Sequence, residues 1–353
     1  MSLTVKHLNA DASFLLTFEP LSSFPPSPGP SLDAFTIVLD PWLQGSSKIW
    51  HPKFSVSTHR EPACVSSLAE LQPDLVIISQ DKDDHCHAPT LKTLPGSGGK
   101  TTVLAQPAAA KTIRSWKHFD AEKIVILRKW DESKAKTVHR IVLPALHSKG
   151  SSGEITVAFL SQKHDITGLH GAIGITYRPP TASLEPNVSH PLTPPASPSL
   201  NSSRWHASPN TLSVIFSPHG IPYSCIAPYA SSHLVRTAAL PLTALLHCFD
   251  RVTNPWYLGG NICAGFPGGL DIAQSLLAGT WISAHDGIKE TKGFASTRIM
   301  TRRFDRQEVE NMVSPQSPES PRGRGTEVVV LGVGQDIRLG QSMVSSDQKG
   351  RVK

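Results

Sequence analysis

Short runs of Val, Ile, Leu, Thr and Phe alternate with helical patterns along most of this chain, and that alternation leaves few architectures open. Strands are expected at residues 3–7, 14–18, 36–39, 75–79, 102–105, 124–127, 140–143, 155–160, 173–177, 212–216, 280–283 and 327–331, since such side chains suit a pleated, buried surface. Helices are expected at 88–94, 107–118, 231–237, 270–278 and 306–312, the second with Pro107 in its first turn, where a missing N–H is tolerated. About a dozen strands with helices between them imply a layered αβ domain rather than a bundle or an all-β sandwich.

Not all of the 353 residues belong to that core. Apolar side chains make up 39%, against ~45–50% in typical soluble domains. Sixteen of the 30 prolines fall within residues 20–30, 179–209 and 314–321. The stretch 179–209 cannot bury enough apolar surface to offset its ordering entropy, so it is expected to be a disordered insertion between two strands. Residues 20–33 read as a smaller insertion in a hairpin. The organisation expected is one domain over 1–313 with insertions at 20–33 and 179–210, a flexible Ser/Pro linker over 314–325, and a C-terminal strand and tail over 326–353.

Several classes are set aside by composition. No apolar run reaches the ~18 residues of a membrane span; the best, 237–249, carries Pro241 and His247. The first residues lack the basic, apolar and small-residue succession of a secretion signal. Five cysteines, odd in number, scattered and without a CxxC, fit a reducing compartment, so a cytoplasmic location is expected. A net charge of +6 without aromatics interleaved among the Lys and Arg residues does not point to a nucleic-acid partner. The glycine-rich run 96–101 precedes a strand rather than a helix, so it reads as a turn and not a phosphate loop.

The ends of the strands carry the chemistry. Residues 75–79 run into Asp84, His85 and His87; 212–216 into His219; 280–283 into His285 and Asp286; 140–143 into His147; and 36–39 into Asp40. Carboxylates and imidazoles at strand ends gather at one edge of a sheet, where open α/β architectures commonly build sites. Neutral imidazoles with one or two carboxylates are ligands for zinc and similar divalent ions. With sixteen histidines in the chain, single strand-end histidines can equally be capping or surface residues.

These motifs resemble a known family. The run Leu75-Val-Ile-Ile-Ser-Gln-Asp-Lys-Asp-Asp-His-Cys looks like the strand and HxHxDH signature of the metallo-β-lactamase superfamily, and Thr36-Ile-Val-Leu-Asp-Pro looks like the strand and turn that precede it. Pro144-Ala-Leu-His147, Ser217-Pro-His219-Gly and Ser283-Ala-His285-Asp-Gly follow in the family's order, with spacing most similar to the UlaG-type branch and its fungal members. The resemblance spans about residues 3–290 and implies an αββα sandwich of four layers.

It also implies a ligand set, with departures. Gln80 and Lys82 stand where the family places the two histidines of the first metal, so that ion is expected to be absent. Asp84, His85 and His285 match ligands of the second metal, and His219 stands where a bridging aspartate is usual. The resemblance thus implies one divalent ion, zinc with iron or manganese as alternatives, on Asp84, His85, His219 and His285. His147, left without an ion, is expected to serve as a proton shuttle or to orient the leaving group. Lys82 is implied to take over the charge role of the lost metal, or else to point into solvent.

Three functions remain open on the sequence: a single-ion hydrolase of small esters, lactones, thioesters, amides or phosphodiesters; a catalytically inactive binding module of the same fold; and a nucleic-acid processing enzyme. Of the neighbouring residues, Cys86 is expected to face the core, Asp286 to orient a ligand histidine, and Trp42, Trp116, Trp256 and Trp281 to pack in the core or rim, with Trp42 placed to line a pocket mouth.

Overall fold

The computed structural model describes residues 1–20, 34–49, 51–146, 148, 150–163, 165, 167–181, 211–258, 260–314 and 325–340. Most of the stretches assigned above to insertions, linker and tail lie outside these residues.

Two seven-stranded sheets pack face to face. The first runs, edge to edge, Asp336–Gly340, Ser2–His7, Phe14–Glu19, Phe35–Leu39, Leu75–Ile78, Thr102–Ala105 and Ile124–Ile126. Its last four strands are mutually parallel. The second runs Glu327–Val329, Thr280–Ser283, Ala244–His247, Leu212–Ser217, Gly171–Arg178, Gly153–Ser161 and Val138–Leu143. Here the first four strands are parallel and the rest antiparallel. Phe18 pairs with Phe35 and Tyr177 with Leu212, so the strands flanking residues 21–33 and 182–210 are direct neighbours.

The strand period of two sorts each strand between layers. Leu75 and Ile77 face inward onto Ile173, Val214 and Leu246 of the other sheet. Val76 and Ile78 face outward onto Ala109, Ala110 and Ile113 of the helix Pro107–Ser115. On the far side, Ile215, Leu245 and Trp281 meet Ile226, Ile272 and Val309 from the helices Tyr223–Tyr229, Phe266–Ser275 and Arg306–Val313. Three apolar layers between four layers of structure make the αββα sandwich. Each fully buried Leu, Ile or Phe in them contributes roughly 1.5–3 kcal/mol of transfer free energy.

The strand Ala244–His247 was read in sequence only as part of an apolar run, yet it sits at the centre of the second sheet. Helix formation begins at Tyr223, earlier than the expected 231–237, and passes through Pro228 into a π turn at Ala230–Leu234. Two small three-stranded sheets stand over the ends of the parallel strands. One is formed by Ser47–Ile49, Ser55–His59 and Lys289–Lys292, the other by Asn261–Cys263, Arg251–Thr253 and Met300–Arg302. Among the described residues no helix is long and apolar enough to cross a membrane.

Candidate metal centre

The parallel strands of both sheets end at the same edge, and the turns that follow them meet there. Leu39 gives way to Asp40, which adopts φ 38°. After Ile78 the chain turns so that the Lys82 carbonyl accepts from the amides of both His85 and Cys86. After Ser217, Gly220 takes φ +80° and its amide closes back on the Ser217 carbonyl. A Cβ on Gly220 would lie 2.7 Å from Ala264 Cβ and 2.9 Å from His247 Nε2, so only glycine lets this turn present His219. After Ser283, His285 itself sits at φ 69°, a conformation non-glycine residues rarely hold without compensation. Gly287 packs so closely on Ala10 that a Cβ would fall 1.3 Å from its carbonyl oxygen, which sets the 284–289 loop against Asp11.

Three imidazoles converge as a result. Ring centroids are 5.1 Å apart for His85 and His219, 5.0 Å for His85 and His285, and 4.4 Å for His219 and His285. One nitrogen from each lies within 4.8 Å of the other two. His85 Nδ1 is 2.8 Å from Asp40 Oδ2, and Asp40 also accepts from the amide and hydroxyl of Ser79. His219 Nδ1 is 2.9 Å from the Ile262 carbonyl oxygen. A carbonyl can only accept, and a carboxylate beside two other donors accepts as well, so both Nδ1 atoms carry the proton. The two Nε2 atoms then turn lone pairs toward each other across 3.1 Å.

Two neutral acceptors do not rest in contact unless a cation stands between them or one ring takes a proton. Nitrogens each ~2.0–2.1 Å from a shared zinc ion lie no more than about 4.2 Å apart, and this pair meets that condition. The Asp40–His85 and Ile262–His219 contacts are the outer partners that fix tautomer and orientation in metal-binding histidines. Asp84 reaches the same space, its Oδ2 3.8 Å from His85 Nε2, while its buried Oδ1 has no hydrogen-bond partner among the described residues. Burial pushes the Asp84 carboxyl up, but His85, Lys289, His285 and His219 outweigh it and hold the pKa at about 2. Burial is also the main influence on His285 and leaves its pKa lowered; His219, despite burial, is raised by Cys263 and Asp84. The donors present fit a divalent ion.

A second group adjoins the first. Asp11, Asp84 and His285 also offer ligand atoms within 4.8 Å of one another. His285 Nδ1 lies 2.8 Å from Asp11 Oδ1, though not along a hydrogen-bond direction. The Lys289 ammonium holds both Asp11 oxygens. Burial raises and His285 and Lys289 lower the Asp11 carboxyl, which ends well below its usual value; Lys289 is correspondingly raised against its own burial by Asp11 and Asp84. Neither Asp11 nor Lys289 was read from sequence: Asp11 sits in the connection of the hairpin Ser2–His7/Phe14–Glu19, and Lys289 opens a short polar strand.

A cavity of about 610 Å³ opens over these groups, lined by Lys82, Asp84, His219, His285 and Lys289 at its polar end. The two small sheets and their connections supply its walls, including Ile49, Phe54, Val252, Leu258, Ile262 and Ile288. Lys82 is about one-third exposed, with Nζ 3.0 Å from Asp81 Oδ1. Gln80 is buried, its Oε1 without a hydrogen-bond partner among the described residues.

Asp84, His85, His219 and His285 are therefore brought together, and Lys82 borders the same cavity. His147 lies outside the described residues. Asp286 does not support a histidine: it accepts from the amides of Phe249 and Asp250 and from Ser283 Oγ. Trp42 is fully buried against His59 and is absent from the cavity lining, while Trp256 is 86% exposed and packs in no core. Cys86 does face the core, as expected.

Residues 31–169 match the family described as "Beta-lactamase superfamily domain". No curated protein matches the chain. Among solved structures, the isothiocyanate hydrolase from Delia radicum gut bacteria is 14% identical, covering 96% of this chain and 100% of its own, with a TM-score of 0.50. A metallo hydrolase from the hyperthermophilic archaeon Ignicoccus hospitalis is 12% identical over 97% of this chain and 100% of its own, with a TM-score of 0.44. The fold is that of the metallo-β-lactamases, and the match to a β-lactamase superfamily domain is confined to residues 31–169. That match takes in Asp40, Asp84 and His85; His219 and His285 come from beyond it.

Proposed function

We propose that the protein is a metal-dependent hydrolase holding a single divalent ion, zinc in the first instance, on His85, His219 and His285 with Asp84. The observation that supports this most is the 3.1 Å approach of the His85 and His219 Nε2 atoms while both Nδ1 atoms are engaged as donors. When bound, such an ion supplies Lewis acidity, polarising an electrophile and bringing the pKa of a water toward ~7.

The chain's own residues prepare the rest. Asp40 and the Ile262 carbonyl fix the two rings, and Asp84 stays ionised at neutral pH with one oxygen free of hydrogen bonds among the described residues. Lys82, at the cavity wall, is proposed to meet the substrate oxygen on which negative charge develops. The mostly apolar walls and the volume suit a small-molecule substrate. Esters, lactones, thioesters and phosphodiesters form the expected set, and the name of the similarly folded isothiocyanate hydrolase adds isothiocyanates to the screen.

The test is elemental analysis of the purified protein, followed by hydrolysis assays on that set. One divalent ion per chain, lost in His285→Ala, is the expected result. An unchanged metal load in that variant would remove the proposed site, and a bound ion without turnover on any substrate would favour the binding-module reading.

A further inference from the structure

The carboxylate side of the pocket already holds a cation. Lys289 opens the strand Lys289–Lys292, which pairs with Ser55–His59, and this pairing carries its side chain inward over the end of the first sheet. Its Nζ donates to Asp11 Oδ1 at 3.0 Å and Oδ2 at 2.9 Å; the Lys289 side chain is 18% exposed and that of Asp11 is fully buried. Asp11, Asp84 and His285 are spaced to share an ion, and oxygen and nitrogen donors of this kind suit a divalent one. An ammonium fixed by two charge-assisted hydrogen bonds at the same carboxylate competes directly with such an ion, by taking up the acceptor oxygens and by repulsion.

We propose that Lys289 is a built-in second cation: its ammonium takes the electrostatic place of a metal ion at Asp11 and Asp84, and so limits the pocket to the ion held by the histidines. This rests on the metal-site reading above, since it explains why a pocket with two adjoining ligand groups would carry one metal. His285 belongs to both groups, so a charge that occupies the carboxylate side without taking an imidazole leaves that ring for the first ion. A lysine also differs from a metal in being permanent. Chelators that strip the histidine ion leave this charge, which borders the cavity, in place.

The experiment compares the full chain with Lys289→Met, Lys289→Gln, Lys289→Arg and the double variant Asp11→Asn/Lys289→Met. Each is equilibrated with Zn²⁺, freed of loose ion and analysed for zinc per chain, with thermal melting followed with and without Zn²⁺. The Met and Gln variants are expected to bind one ion more than the wild type and to gain more melting temperature from Zn²⁺. Lys289→Arg and the double variant are expected to match the wild-type count. Equal counts in wild type and a folded Met or Gln variant would overturn the proposal, as would an added ion in Lys289→Arg. A wild-type count of zero with a gain in Lys289→Met would instead overturn the histidine site while leaving the lysine's role standing.

Discussion

The two sides of the pocket solve opposite electrostatic problems. On the histidine side, Asp40 and the Ile262 carbonyl use up the ring donors of His85 and His219, leaving two lone pairs face to face. Among the described residues no Lys or Arg donates to either ring. On the carboxylate side, Asp11 is ionised, buried and already matched by Lys289. One side is arranged to receive a cation, the other arrives with its own. Counting metal-type ligands is therefore not enough: Asp11, Asp84, His85, His219 and His285 cluster here, and their existing partners decide which of them are available.

The largest expected effect comes from emptying the histidine side. His219→Ala should weaken zinc affinity by more than 100-fold in competition titration with a chelating indicator, because it removes one of the two opposed nitrogens. Asp40→Asn comes next. Its amide can accept at only one atom, so it cannot serve His85 Nδ1 and both Ser79 donors, and affinity should fall about 10–100-fold. Retention of wild-type affinity in Asp40→Asn would mean that His85 needs no outer anchor.

Acid should separate the two sides. Zinc release should set in as the pH falls past about 6.5, the ordinary imidazole value, helped by the raised His219 and resisted by the lowered His285. The carboxylate side should outlast it. Asp84, drawn from 3.8 to about 2, contributes roughly 2 kcal/mol of stability that is present above pH 3.8 and lost as the pH falls through 2. Simultaneous loss of the ion and of folding across one pH titration would contradict that separation. The smallest effect is expected at Lys82, about one-third exposed and tied to Asp81: Lys82→Ala should leave the zinc count unchanged and lower kcat/KM by about tenfold, or about 1.4 kcal/mol of transition-state stabilisation.

Much of the histidine side was legible in the sequence, and for a definite reason. His85, His219 and His285 each stand a few residues past an apolar strand, and parallel strands that end at one edge must deliver their following turns to one place. The carboxylate side was not. Asp11 lies in the hairpin between Ser2–His7 and Phe14–Glu19, and Lys289 follows a loop into a short polar strand, so their meeting depends on chain segments 278 positions apart. The reading of Asp286 failed on adjacency: the residue beside a ligand need not face it, and this one turns to the amides of Phe249 and Asp250. Ala244–His247 escaped because a strand buried on both faces shows no alternation, and a short apolar run cannot be told from helix by period alone.

The most direct check on a single ion at the histidines is an anomalous-difference map from crystals of the zinc-loaded protein. One peak per chain, in contact with His85, His219 and His285 and with Lys289 still on Asp11, is the predicted result. Two peaks, or one seated at Asp11 with the His85 and His219 nitrogens uncoordinated, would contradict it.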